Sequence, residues 1–288
     1  MLNKNILSLI GCGILLLAPL SAIADNSKEL TLAEKKTYVQ NYYTNLYQSN
    51  EAEAINKTLA KDYIEHQYPP IGTSANDLKH YIVERKKTYP NLKVEIHRAI
   101  AQNDLVFLQV EEKITDSKSI ARGELFQLKG DKITQHWSVN QAVPDALRES
   151  GHMFNGTPVN TASTIAVKIN EKLIAGISNV FPKFDYEAIN TWFVDPYTQH
   201  TPDAVSGVES FTGFIHFLES SKAVSVLENK HVIAEGDFIV AHSFVKIAPI
   251  TGDQHVFDII RITEEGKIIE HWDIVSNIGS EEEMKKIF

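Results

Sequence analysis

The chain has a single cysteine, Cys12, among its 288 residues. One thiol cannot build a disulfide framework or a zinc–thiolate site. Cys12 also lies inside an N-terminal apolar run, so removal of that run would leave no thiolate nucleophile. Blocks of Lys and Arg are missing as well. With a formal net charge of −9, the chain offers neither nucleic acid nor anionic lipid a basic surface. Long hydrophobic runs are limited to residues 6–20. That stretch is too short, and too promptly followed by polar chain, for a membrane span. With Lys4 before it and Ala22-Ile23-Ala24 after it, it has the layout of a secretory signal peptide cleaved after Ala24. The expected location is therefore the periplasm or outside the cell. Leu9-Ile10-Gly11-Cys12 also reads as a lipoprotein box that would lipidate Cys12, but cleavage there would leave an apolar stretch, residues 13–24, on the mature chain. An exported chain without disulfides depends on its cores, and 43% hydrophobic content supplies enough material for two.

What the chain does have is a phrase used twice. Lys132-Ile133-Thr134-Gln135-His136-Trp137 returns 135 positions later as Lys267-Ile268-Ile269-Glu270-His271-Trp272. That period is too long for a solenoid unit and fits a whole small domain. Tyr63-Ile64-Glu65-His66 likewise matches Tyr197-Thr198-Gln199-His200, and residues 100–104 match residues 233–237. Glu124 falls opposite Asp258, Gln109 opposite His242, and Ser138 opposite Asp273.

Each copy begins with helical periodicity and ends with a period of two. Thr31-Leu32-Ala33-Glu34 is a capping-box pattern, and Tyr38, Tyr42, Leu46 and Tyr47 continue one helical face. Further helices are expected over residues 52–59 and 76–89, then strands over 93–101, 105–114, 120–128 and 133–139. The second copy repeats the order, with helices over 163–177, 186–192 and 208–220 and strands over 223–234, 238–247, 255–262 and 267–275. Residues 151–160, rich in Gly, Asn, Thr and Pro, read as the linker. The expected organisation is a signal peptide (1–24), a first domain (25–152) and a second domain (153–288). Helices followed by a run of strands indicate an α+β class, with helices covering one face of a curved antiparallel sheet.

Four runs in the second copy carry a family resemblance. They are Tyr197-Thr198-Gln199-His200-Thr201-Pro202 with Gly207, Ala234-Glu235-Gly236-Asp237 reaching His242, Asp258-Ile259-Ile260-Arg261, and Gly266-Lys267-Ile268-Ile269-Glu270-His271-Trp272-Asp273. Together they resemble the SnoaL-like polyketide cyclase group of the nuclear transport factor 2-like superfamily. The first copy is similar but thinner, through residues 63–66, 103–104, 132–137 and 141–144. The resemblance implies two tandem cone-shaped α+β barrel domains, each enclosing a pocket. It also implies pairing of such domains through their sheets, which a covalent tandem achieves within one chain as an intramolecular pseudo-dimer, with a homodimer of tandems as the alternative.

The last strand offers the chemistry. Alternation puts Ile269, His271, Asp273 and Val275 on one face and Ile268, Glu270, Trp272 and Ile274 on the other. A carboxylate among aliphatic neighbours has its pKa raised, which suits it to exchange a proton with carbon. The resemblance implies that Asp273 is the acid/base of a cofactor-independent, aldol-type lyase or isomerase. His271 would then orient or polarise, and His200, His242, Asp258, Tyr197 and Trp272 would line the site of a small, largely apolar ligand. Each residue also has a plain structural reading: a His-Trp pair that only packs, a polar corner at 197–200, an ion pair of Asp258 with Arg261 or with another cation at a rim. His200, His242, His271, Asp258 and Asp273 are also metal-ligand types, but no H-E-x-x-H motif joins them, so no metal or cofactor is expected. Ser138 cannot replace Asp273 without an activating base, so any catalysis belongs to the second copy. The competing reading is a non-catalytic ligand-binding or assembly module of the cell envelope.

Overall fold

The computed structural model describes residues 29–49, 52–145 and 153–288. The expected signal segment, Cys12 and the first two linker residues lie outside them. Helix α1 (Leu32–Tyr47) starts at the anticipated capping box: Glu34 N–H donates to the Thr31 hydroxyl at 3.3 Å, and Thr31 N–H donates to the Glu34 carboxylate at 2.9 Å. Helix α2 (Glu53–Thr58) is shorter than expected because Leu59 already enters strand β1 (Leu59–Gln67). Helix α3 (Ala75–Thr88) then leads into β2 (Lys93–Gln102), β3 (Leu105–Thr115), β4 (Lys118–Lys129) and β5 (Lys132–Ala142). The second half repeats this with α4 (Ile165–Ile177), α5 (Val180–Lys183), α6 (Tyr186–Trp192), β6 (Phe193–Gln199), α7 (Val208–Ser220), β7 (Val224–Glu235), β8 (Phe238–Ala248), β9 (Gly252–Ile262) and β10 (Ile268–Asn277). A short helix, α8 (Glu281–Ile287), follows.

The two five-stranded sheets have the same order, β1-β5-β4-β3-β2 and β6-β10-β9-β8-β7. Strands β1 and β6 have no counterpart in the periodicity of the sequence. They pair parallel to β5 and β10 across register breaks, so each sheet is mixed rather than wholly antiparallel. Lys61 and Asp62 in β1, and Pro196 in β6, blur the alternation that reveals the other strands.

Alternation sends side chains to two sides of each sheet. On the inner side, Val106, Leu108, Val110 and Phe126 meet Val39, Tyr42, Tyr43 and Leu46 of α1. Ala234, Ile239, Ile260 and Ile262 likewise meet Ala166 and Leu173 of α4. The outer sides of the two sheets meet one another. Phe107, Leu125, Trp137 and Val139 share one core with Phe238, Val240, Phe257, Trp272 and Ile274, and the Phe107 and Phe257 rings lie 5.1 Å apart. Burying each such side chain contributes about 1.5–3 kcal/mol, so this contact is a major stabilising surface. A Cβ on Gly123 would come within 2.6 Å of the Phe257 ring, and glycine is what lets the sheets close.

The described part of the linker is docked rather than loose. Arg98 donates to the carbonyls of Phe154 (3.2 Å), Asn155 (2.7 Å) and Thr157 (3.3 Å), and Gln109 donates to that of Met153 (2.9 Å). At the equivalent end of the second half, α8 covers the sheets, with the Lys286 carbonyl 3.2 Å from His66 Nδ1. Among the described residues no helix is long and apolar enough to cross a membrane.

Candidate active site

Strand register lines up the inner side chains in rows. In the second half one row runs Ile239, Ile260, His271, Gln199, and the next runs Ala241, Asp258, Asp273. In the first half the equivalent rows are Val106, Phe126, His136, Glu65 and Leu108, Glu124, Ser138, Gln67. A third row places Arg122 in the first half where Val256 stands in the second. The correspondence legible in the sequence therefore holds in three dimensions, pair by pair.

Asp273 faces Asp258 directly across the β9–β10 ladder. The residue keeps some exposed surface, but its Oδ1 is sealed from solvent and has no hydrogen-bond partner. Burial pushes its carboxyl up; His271 pulls it back, and Asp258 adds to the rise. The balance lies at about 6. Like charges facing each other across a ladder repel, and here nothing in the third row relieves them, because Val256 brings no cation.

His271 is bound to Asp258, not to Asp273. Its Nε2 lies 3.1 Å from Asp258 Oδ1, and its Nδ1 lies 2.8 Å from Gln199 Oε1. Both ring nitrogens are thus committed inside the protein, so the imidazole acts on Asp273 through its charge rather than by touching a ligand. Burial disfavours that charge, but Asp258 outweighs burial and holds the imidazole above its ordinary range. Tyr197 packs on the same inner side against Phe193 and Phe211, and its hydroxyl accepts from Gln199 Nε2 at 3.2 Å.

Three of the expected site residues lie on the opposite side of the sheet. His200 stacks on Trp272 at 4.5 Å and contacts Glu270 at 3.0 Å through Nε2. Trp272 is fully buried between the sheets, donates to the Asn155 carbonyl at 2.9 Å, and carries the Arg98 guanidinium over its ring at 4.1 Å. His242 stacks on Phe257 at 4.6 Å and lies between His231 (2.9 Å) and His255 (2.5 Å). The reason is parity: Trp272, and His242 opposite Phe257, occupy the strand positions that alternate away from Asp273. The structure therefore brings together Tyr197, Asp258, His271 and Asp273 and separates them from His200, His242 and Trp272. The same separation splits the five-residue metal set. The anticipated Asp258–Arg261 pair does not form either, since Arg261 turns to Asp237 (2.9 Å) and Glu270 (3.3 Å). Among the described residues, the potential metal ligands that converge within 4.8 Å are Glu95, His97 and Glu111, and Lys113 already pairs with both carboxylates.

The inner side of the first half is closed by its own charges. His136 sits between Glu65 (3.0 Å) and Glu124 (2.6 Å), and Arg122 lies between Glu124 (3.2 Å) and Glu112 (3.3 Å). Arg85 pairs with Glu112, and the Tyr43 hydroxyl lies 3.1 Å from both Glu112 and Glu124. Glu65, Glu112, Glu124, Arg122 and His136 are all buried. Burial opposes the charge on His136, but Glu65 and Glu124 overcome it and hold the imidazole at about 9. Reasoning from the sequence missed this network, although charged residues at inward positions of otherwise apolar strands are its signature. It also missed Gln199, which occupies the position of Glu65.

No family model and no curated protein matches the sequence. Among solved structures, the chain is similar to a putative polyketide cyclase from Bacillus cereus, at 19% identity over 39% of this chain and 79% of that one, with a TM-score of 0.35. It is similar to a putative polyketide cyclase from Acidithiobacillus ferrooxidans at 14% identity, over 39% and 92% of the two chains, TM-score 0.35. It is also similar to a SnoaL-like protein of unknown function from Burkholderia thailandensis at 13% identity, over 39% and 98%, TM-score 0.34. The likeness is to SnoaL-like polyketide cyclases, with each match covering about two fifths of this chain.

Proposed function

We propose that the second half binds a small, largely apolar carbonyl compound and that Asp273 moves a proton to or from the carbon next to its carbonyl. The observation that carries this reading is the unpartnered, sealed Oδ1 of Asp273, on a carboxyl balanced at about 6. Such a group is charged enough near neutral pH to accept a proton, and basic enough to take one from a carbon acid. His271, whose charge Asp258 favours, in turn favours the Asp273 carboxylate, and an enolate formed nearby would gain from the same positive field. The chemistry needs only proton transfer, followed where the substrate allows by aldol-type closure. Tyr197 and the aliphatic Ile239 and Ile260 supply apolar surface on the same side.

The first half, whose inner side is filled by the Arg122 network, serves in this reading as a structural partner through the shared sheet interface. The chain then works as an intramolecular pair and needs no second copy. Residues 1–24 support export to the periplasm or beyond. A mature mass beginning at Asp25 in a periplasmic or secreted fraction would support that placement, whereas an intact, cell-associated chain would count against it.

The test of the chemistry is deuterium exchange into a 1,3-diketone such as acetylacetone, followed by NMR in D2O. Wild type should accelerate exchange, with a rate that rises as pH passes through about 6 and then levels off, because the base is the carboxylate. Asp273→Asn should bind the diketone about as well and lose on the order of 100-fold in rate. Equal exchange by wild type and variant would overturn the assignment.

A further inference from the structure

The two halves place the same histidine in the same row and give it different company. His136 lies between two carboxylates, Glu65 and Glu124, with Arg122 beyond. His271 lies between one carboxylate, Asp258, and one amide, Gln199. The orientation of that amide is not arbitrary. Gln199 Oε1 accepts from His200 N–H (3.1 Å), Thr201 N–H (3.3 Å) and the Thr201 hydroxyl (3.0 Å) as well as from His271. Backbone N–H groups can only donate, so the oxygen must face them, and the Gln199 NH2 is left to donate to Tyr197.

This fixes the protons on the imidazole. An amide oxygen can only accept, so Nδ1 of His271 carries a hydrogen, and Nε2 is the nitrogen that a neutral ring would leave bare. That nitrogen faces Asp258 Oδ1 at 3.1 Å, a contact that is a hydrogen bond only when one further proton lies between them. The pair therefore holds one mobile proton. In the first half both ring nitrogens face carboxylates, and loss of either proton would set a lone pair against a charge.

We infer that Gln199 is the positioning residue of the second-half site: its neutral amide fixes His271 in one tautomer and, by withholding the second carboxylate that Glu65 provides to His136, leaves the His271–Asp258 pair a proton it can give up. The two copies are then one device in two settings, a locked cation at His136 and a releasable one at His271. On the neighbouring strand lock and release differ by one amide for one carboxylate; within the sheet Val256 also stands for Arg122 and Asp273 for Ser138. The lock agrees with the hold on His136, at about 9, by two carboxylates. For the proposed reaction, Gln199 would let the charge beside Asp273 fall when a proton arrives and recover when it leaves. That last step rests on the function proposed above; the protonation difference does not.

The test is an NMR titration of the histidine rings in the full chain, in wild type, Gln199→Glu and Glu65→Gln. In wild type, His271 should titrate at lower pH than His136. Gln199→Glu should raise the His271 midpoint by at least about one pH unit, and Glu65→Gln should lower that of His136 by a similar amount. If Gln199→Glu does not fold, Glu65→Gln alone decides the matter, because it makes the first half resemble the second. Unmoved midpoints in the folded variants, or His271 and His136 titrating together in wild type, would overturn the inference. In the diketone assay, Gln199→Glu should change the pH profile of exchange while Asp273→Asn removes exchange itself. Failure of the catalytic reading thus appears as no exchange in any form, with the ring titrations still separated.

Discussion

Replacing Arg122 by methionine tests whether the charged network is what holds the first half together. Arg122 is 2% exposed, with Nε 3.3 Å from Glu112 and 3.2 Å from Glu124. Methionine keeps most of the apolar stem, so the change reads the charge. Arg85 still reaches Glu112 and His136 still reaches Glu124, so both carboxylates keep one partner and lose the shared one. Removing one member of a buried ion pair costs about 3–5 kcal/mol. At roughly 3–5 °C per kcal/mol for a unit of this size, the first calorimetric transition at pH 7.5 should fall by about 10–20 °C. The double variant Arg122→Met/Glu124→Gln should recover part of that loss, because neutralising Glu124 removes one of the two buried charges the single variant leaves undercompensated. The deficit should also narrow in acid. Burial works against the Glu124 charge, but Arg122 and His136 overcome it and hold the carboxyl below its ordinary 4.5. That contribution is present above pH 4.5 and is lost as pH falls through the depressed value, so wild type has less to lose there. A single variant within about 2 °C of wild type, or a double variant no more stable than the single, would refute the reasoning.

The histidine chain between the sheets should make the protein sensitive to acid. His242 is held well below its ordinary range by burial and then by His255, and His255 sits at about 3 through burial and His66. Bases depressed in this way contribute stability that is whole above pH 6.5 and is lost as pH falls from there toward 3. The denaturant midpoint should therefore drop between pH 7 and 5, and His242→Gln, which copies Gln109 of the first half, should flatten the slope; an unchanged slope would place the sensitivity elsewhere. Gly156→Ala should destabilise by about 2 kcal/mol or more, since φ is +100° and the new Cβ would run into the Glu270 carboxylate and the Trp272 ring. A thermal scan that leaves the variant at wild-type stability would show that the linker can move aside. Phe257→Ala at the sheet interface should cost about 3–5 kcal/mol in denaturant unfolding, with a loss under 1 kcal/mol arguing that the two sheets are not one cooperative unit.

Much of the fold was legible because it is written in period. Residues 105–114 and 238–247 are apolar-rich runs, each preceded by turn residues (Asn103-Asp104 and Gly236-Asp237), which is enough to show β3 and β8, and the capping box at Thr31 marks the start of α1. Strands β1 and β6 were not legible, because their pattern is broken by charge and proline and they pair with strands distant in sequence. In the site, Asp273 stands out once the two copies are aligned, but that it faces Asp258 across the ladder only the strand register shows. His200, His242 and Trp272 do not join them, because a motif's neighbours in sequence alternate to opposite sides of a strand. The network around Arg122 escaped because burial of a charge depends on partners from several elements, here Arg85 on α3, Tyr43 on α1 and Glu112 on β3.

By itself the sequence determined the repeat, the order of helices and most strands, and the substitution of Ser138 for Asp273. These are local or one-dimensional properties: periodicity, capping, and correspondence at a fixed offset. Only the tertiary structure decided which faces of the sheets meet, that the linker is pinned by Arg98, and that His271 binds Asp258 and Gln199 while Asp273 Oδ1 has no hydrogen-bond partner. Those outcomes depend on burial and on the hydrogen-bond partners that burial demands, and both arise only once distant segments are packed against each other.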